Sequence, residues 1–446
     1  MKIIQINEIV GNQQSPNLKW SVWNDVIAVN ETRYVIFNTF TCSAVILQED
    51  ITKKIIDQLP QDIVQTLYVA GIIVNEDKDE RSLFLESFCT GKKDLSYLDL
   101  TILLTHNCQF NCQYCFEGDK KIINIGHNVS QHIVEYLNTL VNTCKKIRVT
   151  WFGGEPLIAY QTLKKMSYQL LDFCKTNDIE YVADMTTNGY ALTKERCFEL
   201  VNKFNIKRFI ITVDGLADIH DKRRPLRSGK STFNTIWNNI IDLVNEGAWV
   251  TLRMTIDKEN YPHIYKFLDY LAQSPLARRV GLSFCRTIDY NFTPKEIKTM
   301  LYSEVEFRDI EWHCILYANK LGLWEYSFPH RAPFGGCLRD GDIVISADGN
   351  IYKCLDTIGD VQWKTNTIED MASGNVSSSN EWYRRWKNWV PTDCEGCANC
   401  VLMPLCNGGC PHNALFRDKQ HGTESQCPDW KANYQRQIIE IAKKYE

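Results

Sequence analysis

The chain has 446 residues, with 50 Lys and Arg against 54 Asp and Glu, a formal net charge of −4, and 18 cysteines. This near balance offers no concentrated basic face for nucleic acid, no run of about 18 apolar residues is present to span a bilayer, and Met1-Lys2-Ile3-Ile4 does not open a signal peptide. At about 100–200 residues per domain the length predicts two to four domains, and cysteines grouped in a chain without an export signal read as metal or iron–sulfur ligation in a reducing cytoplasm rather than as disulfides.

Residues 1–95 carry no metal-ligand pattern and read as a small separate domain. Tyr34 to Leu47 supplies two strands rich in branched and aromatic residues. Helical patterns follow at Ile51 to Leu59 and Gln61 to Ala70, and Gly71 to Val74 adds a short strand. This mixture predicts a winged-helix-like module, with Glu76 to Arg81 as a charged linker.

From residue 96 to residue 290, apolar strands alternate with helices. The strands are expected at Leu98–Thr105, Lys146–Phe152, Glu180–Thr186, Lys207–Val213, Trp249–Thr255 and Val280–Phe284. The intervening helices include Val129–Cys144, Tyr160–Lys175 and Thr232–Glu246. Such repetition requires crossovers and parallel strands, so the fold class is α/β, with a partial six-stranded TIM-like barrel. Its active site is expected at the C-terminal ends of the strands.

The first strand runs into Cys108, Cys112 and Cys115, spaced by three and then two residues, with Tyr114 before the last. Three thiolates on one loop can hold three irons of a four-iron cluster and leave the fourth open to a substrate or cofactor; a zinc knuckle is the alternative. Gly153-Gly154-Glu155-Pro156 follows the second strand, where the glycines let a ligand approach the backbone and the carboxylate can accept from an ammonium. Thr186-Thr187-Asn188-Gly189 ends the third strand. Thr212-Val213-Asp214-Gly215 ends the fourth, ahead of His220-Asp221 and Arg223-Arg224, and Arg253 lies in the fifth, where a guanidinium needs an anionic partner. Asp214 reads either as a general base or substrate-orienting acid, or as a turn cap.

Residues 291–336 read as a helical bridge, with helices over Thr293 to Tyr326. In residues 337–446, Cys337 precedes Asp342 to Cys354, where Asp348-Gly349 between alternating apolar residues is a hairpin signal. Cys394, Cys397, Cys400, Cys406, Cys410 and Cys427 follow, and Asp429 to Tyr445 suits a closing helix. Cys42, Cys89, Cys144, Cys174, Cys197, Cys285 and Cys314 lie outside both groups and read as ordinary buried thiols.

The three-cysteine loop and the strand-end motifs resemble the radical SAM superfamily, and Cys337, Cys354 and the later spacings of two, five and three residues resemble its SPASM domain. The resemblance implies three [4Fe-4S] clusters. One would sit at Cys108, Cys112 and Cys115 and bind S-adenosylmethionine (SAM). A second would take Cys337, Cys354 and Cys410, its fourth position either filled by Cys394 or left open, and a third would take Cys397, Cys400, Cys406 and Cys427. It implies that Tyr114, Gly153, Gly154, Glu155, Thr187, Asn188 and Arg253 contact the cofactor: the Gly-Gly-Glu element its amino group, Asn188 or Thr187 its ribose or carboxylate, and Arg253 its carboxylate. Similar peptide-modifying enzymes carry the Asp214-Gly215 pair with a downstream His-Asp.

An N-terminal module joined to a SPASM domain looks like a maturase of ribosomally made peptides. The module would bind the precursor's leader as an added strand, and a flavodoxin or ferredoxin would supply electrons. The expected product is an intramolecular thioether or carbon–carbon crosslink. The alternatives are a sulfatase-maturase-like residue oxidase, which usually lacks such an extension, and a non-catalytic iron–sulfur or zinc-binding electron-transfer scaffold.

Overall fold

The computed structural model describes residues 2–5, 17–115, 117, 122–290, 293–331, 337–375, 380–394, 396–416 and 426–445. Of the expected bridge, residues 291–292 and 332–336 therefore lie outside the described residues.

The first region contains β1 (Lys2–Gln5), β2 (Leu18–Trp20), β3 (Asn24–Asn30), β4 (Arg33–Asn38), β5 (Ser43–Leu47) and β6 (Ile73–Asn75). Strands β1-β5-β4-β3 form an antiparallel sheet and β2 pairs with β6. Period-two alternation buries both faces of that sheet. Ile36, Val45 and Leu47 pack on one side against Val64, Leu67 and Tyr68 of the helix Gln61–Val69. Val35, Phe37, Ala44 and Ile46 join the main core on the other.

Two expectations change here. The helical pattern of Ile51 to Leu59 is two short 3-10 turns, Ile51–Lys53 and Ile56–Gln58, separated by extended Lys54 and Ile55, because β-branched residues crowd a continuous helix and Pro60 stops it. The charged stretch Glu76 to Arg81 is no solvated linker. Asp79 caps the helix Glu80–Lys93, and the buried carboxylate of Glu80 accepts from the Ser21 hydroxyl at 2.7 Å and the Val22 amide at 2.9 Å.

The barrel strands are β7 (Tyr97–Leu103), β8 (Lys146–Phe152), β9 (Glu180–Thr187), β10 (Ile206–Thr212), β11 (Trp249–Ile256) and β12 (Val280–Arg286), parallel throughout. Leu98, Leu100, Ile102, Ile147, Val149 and Trp151 are buried beneath the crossover helices. The alternate positions carry polar groups on the interior face, including a row of ion pairs across four strands. Arg148 Nε lies 2.7 Å and Arg208 Nε 2.8 Å from the Asp184 carboxylate, and Arg148 reaches Asp99 at 3.5 Å. A parallel sheet covered on both faces would be apolar throughout; this interior is instead built to face a polar ligand.

The C-terminal region continues the same sheet. Strand β13 (Asp342–Ile345) pairs in parallel with β7, and β14 (Asn350–Tyr352) and β15 (Asn366–Thr367) extend it antiparallel. The expected hairpin turns at Asp348-Gly349, where Gly349 takes φ +83°. Ser346 at this turn lies 2.9 Å from His106 Nε2, just before the cysteine loop. The helix Glu80–Lys93 then braces the C-terminal cysteines. Phe84 and Phe88 pack with Trp389, Cys394, Cys397 and Met403, and Lys92 donates to the carbonyls of Trp386 and Trp389 at 2.9 and 2.7 Å. The helix Tyr434–Lys443 returns to the first region, where the Tyr434 hydroxyl bonds the Asp25 carboxylate.

Candidate active site

A cavity of about 330 Å³ opens at the C-terminal ends of the barrel strands. Its wall carries Cys108, Cys112 and Cys115 on one side and Leu355 and Asp356, immediately after Cys354, on another. Gly153, Gly154, Thr187 and Asn188 line it, as do Arg224, Arg253 and Tyr290. The barrel and the C-terminal cysteine region thus share one cavity.

The Gly-Gly turn earns its glycines from the chain itself. Gly153 has φ +136°, and a Cβ there would lie 2.3 Å from the Thr105 carbonyl oxygen; at Gly154 it would meet the Asn107 and His106 carbonyls at 2.5 and 2.6 Å. The close approach expected for a ligand is also an approach of the cysteine loop. Gly154 N donates to Thr105 O and Glu155 N to Asn107 O, both at 2.9 Å, so the turn locks that loop onto the end of β8.

Glu155 lies behind the wall rather than in it. It is fully buried, and its carboxylate accepts from the Thr187 hydroxyl at 2.7 Å, the Asn188 amide at 2.7 Å and the Leu157 amide at 3.0 Å. Burial raises its carboxyl above the ordinary value although the three donors oppose the rise. With both oxygens occupied, Glu155 joins the second and third strand ends instead of presenting an ammonium acceptor, which corrects its expected contact. The polar atoms it positions, on Thr187 and Asn188, do reach the cavity. Asn188 Nδ2 lies 3.9 Å and Phe110 N 3.5 Å from Cys108 Sγ.

Asp214 is likewise fully buried and stands outside the cavity wall. Its carboxylate accepts from the Tyr114 hydroxyl and from Thr255 N at 3.0 Å, with Arg223 Nε at 3.4 Å. Its own amide donates to His220 Nδ1 at 3.3 Å. The general-base assignment therefore fails on access. Asp214 is a positioning residue that ties the cysteine loop, through Tyr114, to the ends of β10 and β11. Arg223 completes the knot at Asp257, 2.8 Å away, and at Glu259, 2.9 Å away. Burial pushes the Tyr114 hydroxyl far above its ordinary value and holds His220 down at about 4, so that His220 stays neutral and its Nδ1 remains an acceptor.

Arg253 is exposed at the cavity mouth, not buried as expected. The buried cation is its neighbour in space, Arg224. Arg224 donates to the Tyr114 hydroxyl at 2.9 Å and lies over the Phe110 ring at 5.8 Å; its Nε has no hydrogen-bond partner among the described residues. The sequence offered a signal for it, a second arginine after His220-Asp221. Tyr290 and Asp356 carried none, since a hydroxyl 3.4 Å from a carboxylate across 66 residues of chain is visible only in the fold.

The C-terminal thiols fall into two neighbourhoods. Cys337, Cys354 and Cys410 influence one another electrostatically, and burial raises all three, Cys337 to about 12. Cys397, Cys400, Cys406 and Cys427 form the other. Cys394 belongs with the second set: it lies beside Cys397 and accepts from Trp389 Nε1 at 3.4 Å. Its expected service as fourth ligand to the first set finds no support in this placement. The close backbone in the second set depends on Gly409, where a Cβ would sit 2.0 Å from the Gln426 carbonyl.

Residues 102–271 match the family model described as Radical SAM superfamily. The chain carries a radical SAM domain. The superfamily is an enzyme class and implies SAM and a [4Fe-4S] cluster. The radical SAM domain fits both groups. Three thiols are set around the cavity wall with N–H donors at Cys108, and a buried guanidinium atom faces the cavity without a partner. No three His, Cys, Asp or Glu side chains among the described residues draw together as ligands of a single ion would.

The cysteine-type anaerobic sulfatase-maturating enzyme of Clostridium novyi is 24% identical over 365 residues, covering 75% of this chain and 93% of that protein. The solved structure of native anSMEcpe with bound AdoMet and Cp18Cys peptide matches with a TM-score of 0.58 at 16% identity, covering 78% of this chain and 99% of that one. Streptococcus suis SuiB bound to precursor peptide SuiA matches with a TM-score of 0.53 at 15% identity, covering 92% of this chain and 99% of that one. Both structural likenesses are likenesses of fold. No helix among the described residues is long and apolar enough to cross a membrane.

Proposed function

We propose that this chain is a radical SAM peptide maturase that installs an intramolecular thioether or carbon–carbon crosslink in a ribosomally made precursor. The observation that carries this reading is the single cavity walled by Cys108, Cys112 and Cys115 and by the residues that follow Cys354. One substrate residue entering it meets both the site of hydrogen removal and the C-terminal cysteine region. When bound at the three thiols, the cluster and SAM supply the electron and the 5'-deoxyadenosyl group that takes a hydrogen atom from the substrate.

The chain's own residues bind, orient and seal. The Gly153-Gly154 turn and Asn188 form the wall nearest the thiols, and Arg224 offers its free Nε to the carboxylate end of SAM. The Asp214–Tyr114 bond holds the loop still. At the mouth, Arg253 and the Asp356–Tyr290 pair present opposite charges to the polar atoms of an extended peptide. In this reading Cys337, Cys354 and Cys410 hold one auxiliary cluster, and Cys397, Cys400, Cys406 and Cys427 another.

The share of this chain covered rises from 78% with anSMEcpe to 92% with SuiB, which favours the peptide maturase over a sulfatase-maturase-like oxidase. SuiB is a protein solved with a precursor peptide, and by analogy residues 1–95 hold the leader. The test is anaerobic incubation of the reduced, iron-loaded enzyme with SAM and the short peptide encoded beside its gene, followed by mass spectrometry. A loss of two hydrogens from the peptide is expected. An unchanged mass alongside 5'-deoxyadenosine production would contradict the crosslink.

A further inference from the structure

The two C-terminal thiol sets differ in what their lysines do. Lys353, next to Cys354, turns its amine away from sulfur: Nζ donates to the carbonyls of Arg339, Asp340 and Asp342 at 2.7, 3.1 and 2.7 Å. The first set instead has the Asp356 carboxylate close to Cys354 and Cys410, and Cys410 accepts from the backbone amide of Asn413 at 3.4 Å. Lys431 does the opposite. Its Nζ lies 3.3 Å from Cys427 Sγ and 3.8 Å from Cys400 Sγ, and Gln426 Nε2 adds a donor at 3.1 Å from Cys397 Sγ. Three of the four thiols of the second set therefore receive side-chain donors, two of them from a cation. Lys431 and Cys427 also line a surface cavity of about 230 Å³ beside Glu304 and Arg308, so this set lies toward the outside of the protein.

Hydrogen bonds to the sulfurs and nearby positive charge both favour the reduced, more negative state of an iron–sulfur cluster. A carboxylate near the thiols favours the oxidised one.

Resting on the reading that these thiols hold clusters, we propose that Lys431 is a potential-setting residue. It raises the reduction potential of the cluster at Cys397, Cys400, Cys406 and Cys427 above that of the cluster at Cys337, Cys354 and Cys410, so that an electron shared between them resides on the outer one. Lys431 touches sulfur and not substrate, and acts as a positioning charge.

The test is an anaerobic redox titration of the full iron-loaded chain, followed by electron paramagnetic resonance, comparing wild type with Lys431→Gln and Lys431→Arg. The outer cluster's signal is assigned by its loss in Cys406→Ala. Lys431→Gln is expected to lower the outer cluster's reduction equilibrium constant at least tenfold, about 59 mV for one electron, with the other two midpoints and the iron content unchanged. Lys431→Arg, which keeps the charge, is expected to stay near wild type. An unmoved midpoint in Lys431→Gln, an equal fall in both variants, or loss of the outer cluster from both would overturn the proposal. Absence of any auxiliary-cluster signal from wild type would defeat the underlying reading instead.

Discussion

The barrel loop and the C-terminal region both present cysteines, but they are held in different ways. Around Cys108, Cys112 and Cys115 the support is a buried polar frame. Glu155 gathers the second and third strand ends, and Asp214 gathers the fourth and fifth through Tyr114 and Thr255. Around Cys394 to Cys427 the support is aromatic packing from Trp23, Phe84, Phe88 and Trp389, together with tight turns at Asn407, Gly408 and Gly409, all with positive φ. The difference is one of task. A site that must cut a bond at one position needs strand ends fixed to each other, whereas a site that passes electrons needs only ligands and tuned neighbours.

Four substitutions sharpen that contrast, from the largest expected effect to the smallest. Cys112→Ala is expected to abolish 5'-deoxyadenosine formation and remove about a third of the bound iron. Cys406→Ala is expected to lower crosslinked peptide by more than it lowers 5'-deoxyadenosine. Equal losses in the two assays for both variants, read by chromatography and mass spectrometry, would erase the division of labour.

Arg224→Met leaves the buried Tyr114–Asp214 pair without its cation, and about 3–5 kcal/mol of stability should be lost, measured by anaerobic denaturant unfolding. A cost below about 1 kcal/mol would mean the frame does not depend on it.

The frame is also expected to be acid-sensitive through His220. Its folded value of about 4 lies below the ordinary 6.5, so the unfolded chain binds the proton first. Its stabilising contribution is complete above about pH 6.5 and lost as the pH falls toward 4, by about 3 kcal/mol in all. Stability against pH for wild type and His220→Gln should diverge in that window; parallel curves would exclude it. Gly154→Ala pushes a methyl against the His106 and Asn107 carbonyls and should cost about 1–3 kcal/mol while weakening SAM binding in a titration.

Much of this architecture was legible in the sequence. The six barrel strands announce themselves because alternating apolar positions recur between amphipathic helices, and the Asp348-Gly349 turn marks its hairpin. Strand β3 escaped notice because Asn24, Asp25 and Asn30 dilute its pattern, and the pairing of β13 with β7 joins residues far apart in the chain. Asp214 shows the limit most clearly. A carboxylate at a strand end reads the same whether it faces a substrate or a tyrosine, and only its burial separates the two. Arg253 and Arg224 exchange places for the same reason: the strand pattern tells which face a side chain takes, not how deep the cavity is. The potential-setting neighbourhood of Lys431 depends on a lysine one turn beyond Cys427 curling back, which spacing alone does not reveal.

The account stands most directly on the chemistry of the barrel cavity. The decisive measurement is 5'-deoxyadenosine released from SAM by the anaerobic, iron-loaded, chemically reduced wild-type chain, set beside the variant with Cys108, Cys112 and Cys115 all replaced by Ala. The prediction is steady release from the wild type and none from the variant, although the variant keeps its C-terminal iron. No release from fully loaded wild type, or equal release from both, would contradict it.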